Sequence, residues 1–216
     1  VILITSNRGL AGGYNSNAVK LLTKDERFTT ENTVVYAVGT KGRDSVEREG
    51  YTIAGDYSEA INEPLYADAS EIGKEVLSKF TMGEIGEIYL IYTIFKNTMV
   101  QIPTMMKLLP IDASDITADA EDVEENPIDR ITLMNYEPAP EEALNAIIPK
   151  YVNSLIFGGL VESHASENGA RMQAMDSATS NAEEMISDLS LKYNRARQAS
   201  ITQELTEIIA GASAIS

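Results

Sequence analysis

The stretch YVNSLIFGGLVESHASENGARMQAMDSATSNAEEMISDLSLKYNRARQASITQELTEIIAGASAIS, residues 151–216, decides the architecture. Pro149 is the last proline, and the residues after it are rich in Ala, Ser, Glu, Met and Leu. Met175, Ala178, Ala182, Met185, Leu189, Tyr193 and Ala196 recur in steps of three and four, the spacing of a coiled-coil seam. The seam resumes at Ile201, Leu205, Ile208 and Ala212 after a five-residue step, so the apolar stripe rotates there. At 1.5 Å per residue such a helix reaches roughly 95 Å. A domain of about 150 residues is only roughly 40 Å across. The helix is therefore expected to project, and its seam to need a partner strand. The chain opens Val1-Ile2-Leu3-Ile4-Thr5, inside an apolar run and without an initiator Met, so upstream residues are expected to be missing and to supply that strand.

Ahead of this helix, strand-like and helix-like stretches alternate. Glu87 to Phe95 (EIYLIYTIF) is the clearest strand, bounded by Gly86 and Asn97. Val1 to Thr5 and Thr33 to Val38 are two more, the second closed by Gly39. Val100 to Ile102 with Lys107 to Ile111 reads as an extended region broken by Pro103 and Pro110, and Ile131 to Tyr136 as a further strand. Ile72, Val76 and Phe80 mark one helix, and Lys41 to Glu49 a shorter one ended by Gly50. The expected fold is α/β: a Rossmann-like open sheet with helices on both faces, residues 1–148, followed by a long protruding helix, residues 149–216, as half of an antiparallel coiled coil.

Composition narrows the chemistry. Without cysteine there is no disulfide scaffold, thiolate zinc site, iron–sulfur cluster or cysteine nucleophile. A single histidine, His164, leaves little for a histidine metal site or a His-centred dyad, and it reads as a structural or surface residue. The net charge of −16, with no basic stripe, repels phosphate backbones and speaks against nucleic acid as a partner. No apolar run of about 18 residues is present to span a membrane. Residues 112–142 hold eleven acids and one base, Arg130, but lack the spacing of a calcium loop and read as a solvated segment.

Gly9-Leu10-Ala11-Gly12-Gly13-Tyr14 follows the first strand as a phosphate-binding turn would, but it is neither GxGxxG nor GxxxxGK[ST]. It reads as a tight turn whose glycines let a helix pack closely. No GxSxG elbow occurs. Glu124-Glu125 and Glu141-Glu142 fit loop or helix-start positions rather than acid–base machinery. No catalytic, cofactor or metal residue is therefore expected. Arg195 and Arg197, among Ile201, Leu205, Ile208 and Ile209, suit a docking tip: guanidinium forks for carboxylates, and apolar side chains for a sleeve.

Four segments carry a resemblance: TSNRGLAGGYN (5–15), NTMVQIPTMMKLLP (97–110), ESHASENGARMQAMDSATSNA (162–182) and YNRARQASITQELTEIIAGASA (193–214). In order and spacing they resemble the gamma subunit of F-type ATP synthase, the central rotor shaft. The family's N-terminal helix has no counterpart here, and Ala11 stands where many members have Cys. No Cys-bearing regulatory insertion of the chloroplast type is visible, so redox control is not expected.

The resemblance implies a non-catalytic subunit of a rotary, ion-translocating enzyme. Its coiled coil would stand inside a ring of three alpha and three beta subunits. Its α/β foot would lie beside epsilon and on the membrane rotor ring, without itself entering the bilayer, at the cytoplasmic face of a bacterial membrane. It places Arg197, Gln198 and Thr202 at a beta-subunit contact, Arg171 and Glu204 at positions linked to coupling, and Tyr136 and Glu137 at the foot, where the flanking Met134 and Asn135 differ from the family. Two alternatives rest on single features: a nucleotide-binding α/β domain on the glycine turn, and a coiled-coil adaptor on the seam.

Overall fold

The computed structural model describes residues 1–111 and 140–215. Five strands form one sheet: β1 (Ile2–Ile4), β2 (Val34–Val38), β3 (Thr52–Asp56), β4 (Ile88–Phe95) and β5 (Gln101–Leu109). Their order is β3-β2-β1-β4-β5. The first four run parallel, and β5 returns antiparallel beside β4. The helices are α1 (Tyr14–Thr23), α2 (Thr40–Arg48), α3 (Tyr66–Thr81) and α4 (Pro140–Ile215), with a 3-10 turn at Ser58–Ile61. The mixed α/β sheet and long C-terminal helix are those expected from sequence.

The strand pleat explains why both faces are covered. Ile2, Ile4, Tyr36, Val38, Leu90 and Tyr92 point to one side, where Ile72 and Val76 of α3 and Val152, Ile156 and Leu160 of α4 meet them. Leu3, Val35 and Ile91 point to the other, against Ala18, Val19 and Leu22 of α1 and Val46 of α2. Parallel strands buried on both faces read as unbroken apolar runs, as VVYAV does.

Three details differ from the sequence expectation. The two extended pieces around Pro103 are one strand, β5, because an edge strand tolerates a residue without an N–H. β3 was not anticipated: TIAGD is a short, half-exposed edge strand with a glycine, a weak pattern. The final helix begins at Pro140 and carries Pro149 inside it, so the last proline does not mark its start. The proposed strand Ile131–Tyr136 and nearly all of the acidic run lie outside the described residues.

The chain divides into two compact units, Val1–Gln173 and Ala174–Ser216. The boundary drawn from sequence at 148/149 marks a change of composition, whereas residues 152–170 of α4 still contribute buried side chains to the first unit. The second unit is helix throughout its described length, and its described side chains from Met175 onward are exposed.

Candidate functional site

In an open α/β sheet the natural ligand crevice lies where the strand order reverses, at the carboxyl ends of the strands. Here that place is between β1 and β4, which pair only through Ile2–Leu90 and Leu3–Ile91 before parting. The crevice is filled by the chain itself. Thr93, near the end of β4, donates its N–H to Ser163 Oγ at 3.1 Å and accepts from Ser166 Oγ at 3.0 Å. From the β1 side the Tyr14 hydroxyl donates to the Ser163 carbonyl at 3.1 Å. Burial pushes the Tyr14 phenol well above its usual range, and the Glu167 carboxylate adds to this. Ala11, Tyr14 and Ala170 close the gap as a small apolar cluster.

The neighbouring helix N-terminus is also occupied. At α2, Thr40 N–H donates to Asn7 Oδ1 at 3.0 Å, Lys41 N–H to the Ser6 carbonyl at 3.0 Å and Gly42 N–H to Thr5 Oγ1 at 2.9 Å. Gly39, at φ +109°, permits this closeness: a Cβ there would lie 2.3 Å from the Thr5 carbonyl oxygen. These donors, which would hold a phosphate in a nucleotide fold, are spent on Thr5, Ser6 and Asn7. The adjoining cavity, about 540 Å³, is lined by Asn7, Thr40, Asp56, Ser58, Asp68 and Glu71, and its carboxylates repel anions.

The glycine turn serves geometry more than close packing. Gly12 takes a left-handed φ of 55° and Gly9 has open space around it. Leu10, also left-handed at φ 64°, is exposed. Close approach is instead made by Gly39 and Gly42, against Thr5. His164 is structural as expected: its Nδ1 lies 2.8 Å from the Ile61 carbonyl, which fixes Nδ1–H as the donor. Among the described residues no group of three or more His, Asp and Glu is placed to hold a metal ion. No described helix is long and apolar enough to cross a membrane.

The residues singled out from sequence fall in separate places. Arg171 belongs to the first unit, where its Nη2 pairs with Glu167 Oε1 at 2.6 Å. Arg197, Gln198, Thr202 and Glu204 lie together on the helix of the second unit, all exposed. Helical spacing of three and four sets Arg197, Ile201, Glu204, Leu205 and Ile208 on one face, so charge and apolar surface share it. Ile201, Leu205, Ile208 and Ile209 are each about half exposed or more, and Met185, Leu189 and Tyr193 likewise. Thr202 lends its carbonyl to Thr206 Oγ1 at 2.8 Å, leaving its own hydroxyl on the surface. Tyr136 and Glu137 lie outside the described residues. No sequence pattern groups Ser163, Ser166 and Tyr14, because the two serines meet on Thr93 and Tyr14 meets the Ser163 carbonyl, partners distant from one another in the chain.

Comparison with known proteins places this arrangement among relatives. A protein-family model described as ATP synthase matches residues 1–215. The ATP synthase gamma chain of Lachnoclostridium phytofermentans is 66% identical over 215 residues, covering 100% of this chain and 73% of that protein. The sodium ion specific ATP synthase gamma chain of Acetobacterium woodii is 45% identical over 224 residues, covering 99% of this chain and 74% of that protein. Among solved structures, a chain of the Euglena gracilis mitochondrial ATP synthase superposes with a TM-score of 0.68 at 20% identity, over 99% of this chain and 71% of that one. A chain of the Tetrahymena thermophila mitochondrial ATP synthase, from its central stalk and c-ring, gives a TM-score of 0.60 at 24% identity, over 82% of this chain and 75% of that one. At these identities the two structures speak for the fold.

Proposed function

The chain belongs to the ATP synthase gamma-chain family, and from that premise we propose that it works as the rotating central stalk of an ATP synthase, without chemistry of its own. Rotation of an ion-driven membrane ring turns the α/β unit, and the helix carries that turn into a ring of three alpha and three beta subunits. There the asymmetric shaft drives the beta sites through their conformations in sequence, a rigid-body switch. ATP is made or hydrolysed on those subunits. Arg197, Gln198 and Thr202 meet a beta subunit, Arg171 and Glu204 serve coupling, and Tyr136 and Glu137 belong to the foot beside epsilon and the membrane ring. The protein is peripheral, at the cytoplasmic face of the membrane.

The observation that carries this reading is the exposed helix of the second unit, whose apolar and charged residues share one face. Apolar side chains in such number on a single helix call for surrounding protein, and interspersed Arg197 and Glu204 suit a sleeve that must grip and release. The nucleotide-binding alternative is opposed by the crevice, which Ser163, Ser166 and Tyr14 fill.

The test is reconstitution of the full-length chain with alpha and beta subunits, with a bead fixed to the α/β unit. ATP-driven stepwise rotation of the bead is expected. Correctly folded subunits that form no complex with the chain would remove the stalk reading and favour an adaptor with another client.

A further inference from the structure

Helix α4 meets the sheet through two kinds of contact. Val152, Ile156 and Leu160 are wholly buried and apolar. Such contacts hold the helix on the sheet but supply no directional bond of their own. Further along, the contact becomes polar. Ser163 Oγ accepts from the Thr93 N–H, Ser166 Oγ donates to the Thr93 carbonyl, and the Tyr14 hydroxyl donates to the Ser163 carbonyl. All four residues are buried. Thr93 lies beyond the β1–β4 pairing, which ends at Ile91, so its N–H and carbonyl meet no strand partner in β1. Its backbone groups are therefore left to α4, and a displaced helix would strand them away from water. Gly159 and Gly169 keep the helix close on either side: a Cβ would come within 3.1 Å of Leu90 at the first and of Phe95 at the second.

We infer that Ser163, Ser166 and Tyr14 are positioning residues, the serines keying α4 to the end of β4 and Tyr14 keying it to the start of α1, that together fix its rotation and axial register in the α/β unit. The inference rests on the central-stalk reading. In a shaft, torque applied to the α/β unit has to enter the helix at its seat. A slip of one residue turns a helix by about 100° and moves it about 1.5 Å. Either displacement takes a hydroxyl out of the narrow range of a hydrogen bond. The apolar seat holds the helix on the sheet, and the three hydroxyl bonds hold its angle.

The complete ATP synthase, with the full-length chain, is reconstituted in liposomes, and ATP hydrolysis and ATP-driven ion pumping are measured on the same vesicles. Ser163→Ala with Ser166→Ala is expected to keep hydrolysis within twofold of wild type while ions pumped per ATP fall at least threefold. Ser166→Thr, which keeps a hydroxyl, is expected to retain the wild-type ratio. Ile156→Val loosens the apolar seat, and at a matched loss of Tm it is expected to leave the ratio unchanged. If the double variant does not assemble, Tyr14→Phe, which removes one bond, is read instead, and a smaller fall in the ratio is expected. An unchanged ratio in the serine variant, or in Tyr14→Phe where that is read, overturns the key, as does an equal fall in Ile156→Val. A wild-type complex that does not pump would remove the stalk reading itself, an outcome distinct from wild type and variant pumping equally well.

Discussion

Arg171 and Glu167, one helical turn apart on α4, are joined by an Nη2–Oε1 contact of 2.6 Å, and the carboxylate side chain keeps only 10% of its exposure. A carboxylate so withdrawn from water depends on its partner. Arg171→Ala is therefore expected to lower the unfolding free energy by about 2 kcal/mol, the scale of a lost hydrogen bond to a charged group. Adding Glu167→Gln should recover part of that loss, because no unpaired charge then remains buried. Urea unfolding of the two variants checks both; an Arg171→Ala variant as stable as wild type would show that Glu167 finds water unaided.

Two adjacent glycines should respond in opposite ways. Gly158 has open space where a Cβ would stand, whereas a Cβ at Gly159 would lie 3.1 Å from Leu90, 3.4 Å from Ile4 and 3.5 Å from Tyr92. Gly158→Ala should stabilise the chain by about 0.5–1 kcal/mol through helix propensity alone. Gly159→Val should destabilise it by about 1–3 kcal/mol through overpacking against the sheet. Thermal melts of the pair decide it, and equal shifts would contradict the close seat of α4 on β4.

Part of the acid side of the stability curve should trace to Glu75 and Asp56. The Tyr57 hydroxyl, and after it Lys79, hold Glu75 below its usual range, while Ser58, then Arg43, do the same for Asp56. A carboxylate depressed in the folded state leaves the unfolded chain binding more protons. Its contribution is present above the unfolded values of 4.5 for Glu75 and 3.8 for Asp56, and is lost as pH falls through the lower folded values. Tyr57→Phe should therefore flatten the fall of stability below about pH 4.5. Urea midpoints at pH 6 and pH 3 test it: the wild type should lose more between them than the variant does.

Much of the fold was legible because its signals are local. EIYLIYTIF could hardly be anything but a buried strand, and the structure has β4 at Ile88–Phe95. The start of the long helix was obscured by Pro149, which lies inside it. β3 was hidden because an edge strand buries too little to need a strong apolar pattern. The seat of α4 was not legible at all. Ser163 and Ser166 are ordinary helix serines until folding brings them to Thr93, a partner some seventy residues away that no local pattern marks. The exposed tip was legible for the opposite reason, since apolar residues with no core to enter stand out in sequence and structure alike.

That tip allows a clean separation of stability from function. Arg197 and Gln198 are exposed, within a helical segment whose described side chains are exposed from Met175 onward. Arg197→Ala with Gln198→Ala should thus change unfolding by no more than about 0.5 kcal/mol, as surface substitutions do. In the assembled enzyme the same pair should lower coupled ATP synthesis several-fold, because a guanidinium fork and an amide are lost at the proposed beta-subunit contact. Synthesis by reconstituted vesicles, beside the Tm of the isolated chain, gives both readouts. A fall in synthesis with Tm unchanged assigns the tip to contact with the ring. Unchanged synthesis would place that contact elsewhere on the helix, with Thr202 and Glu204 the next positions to substitute.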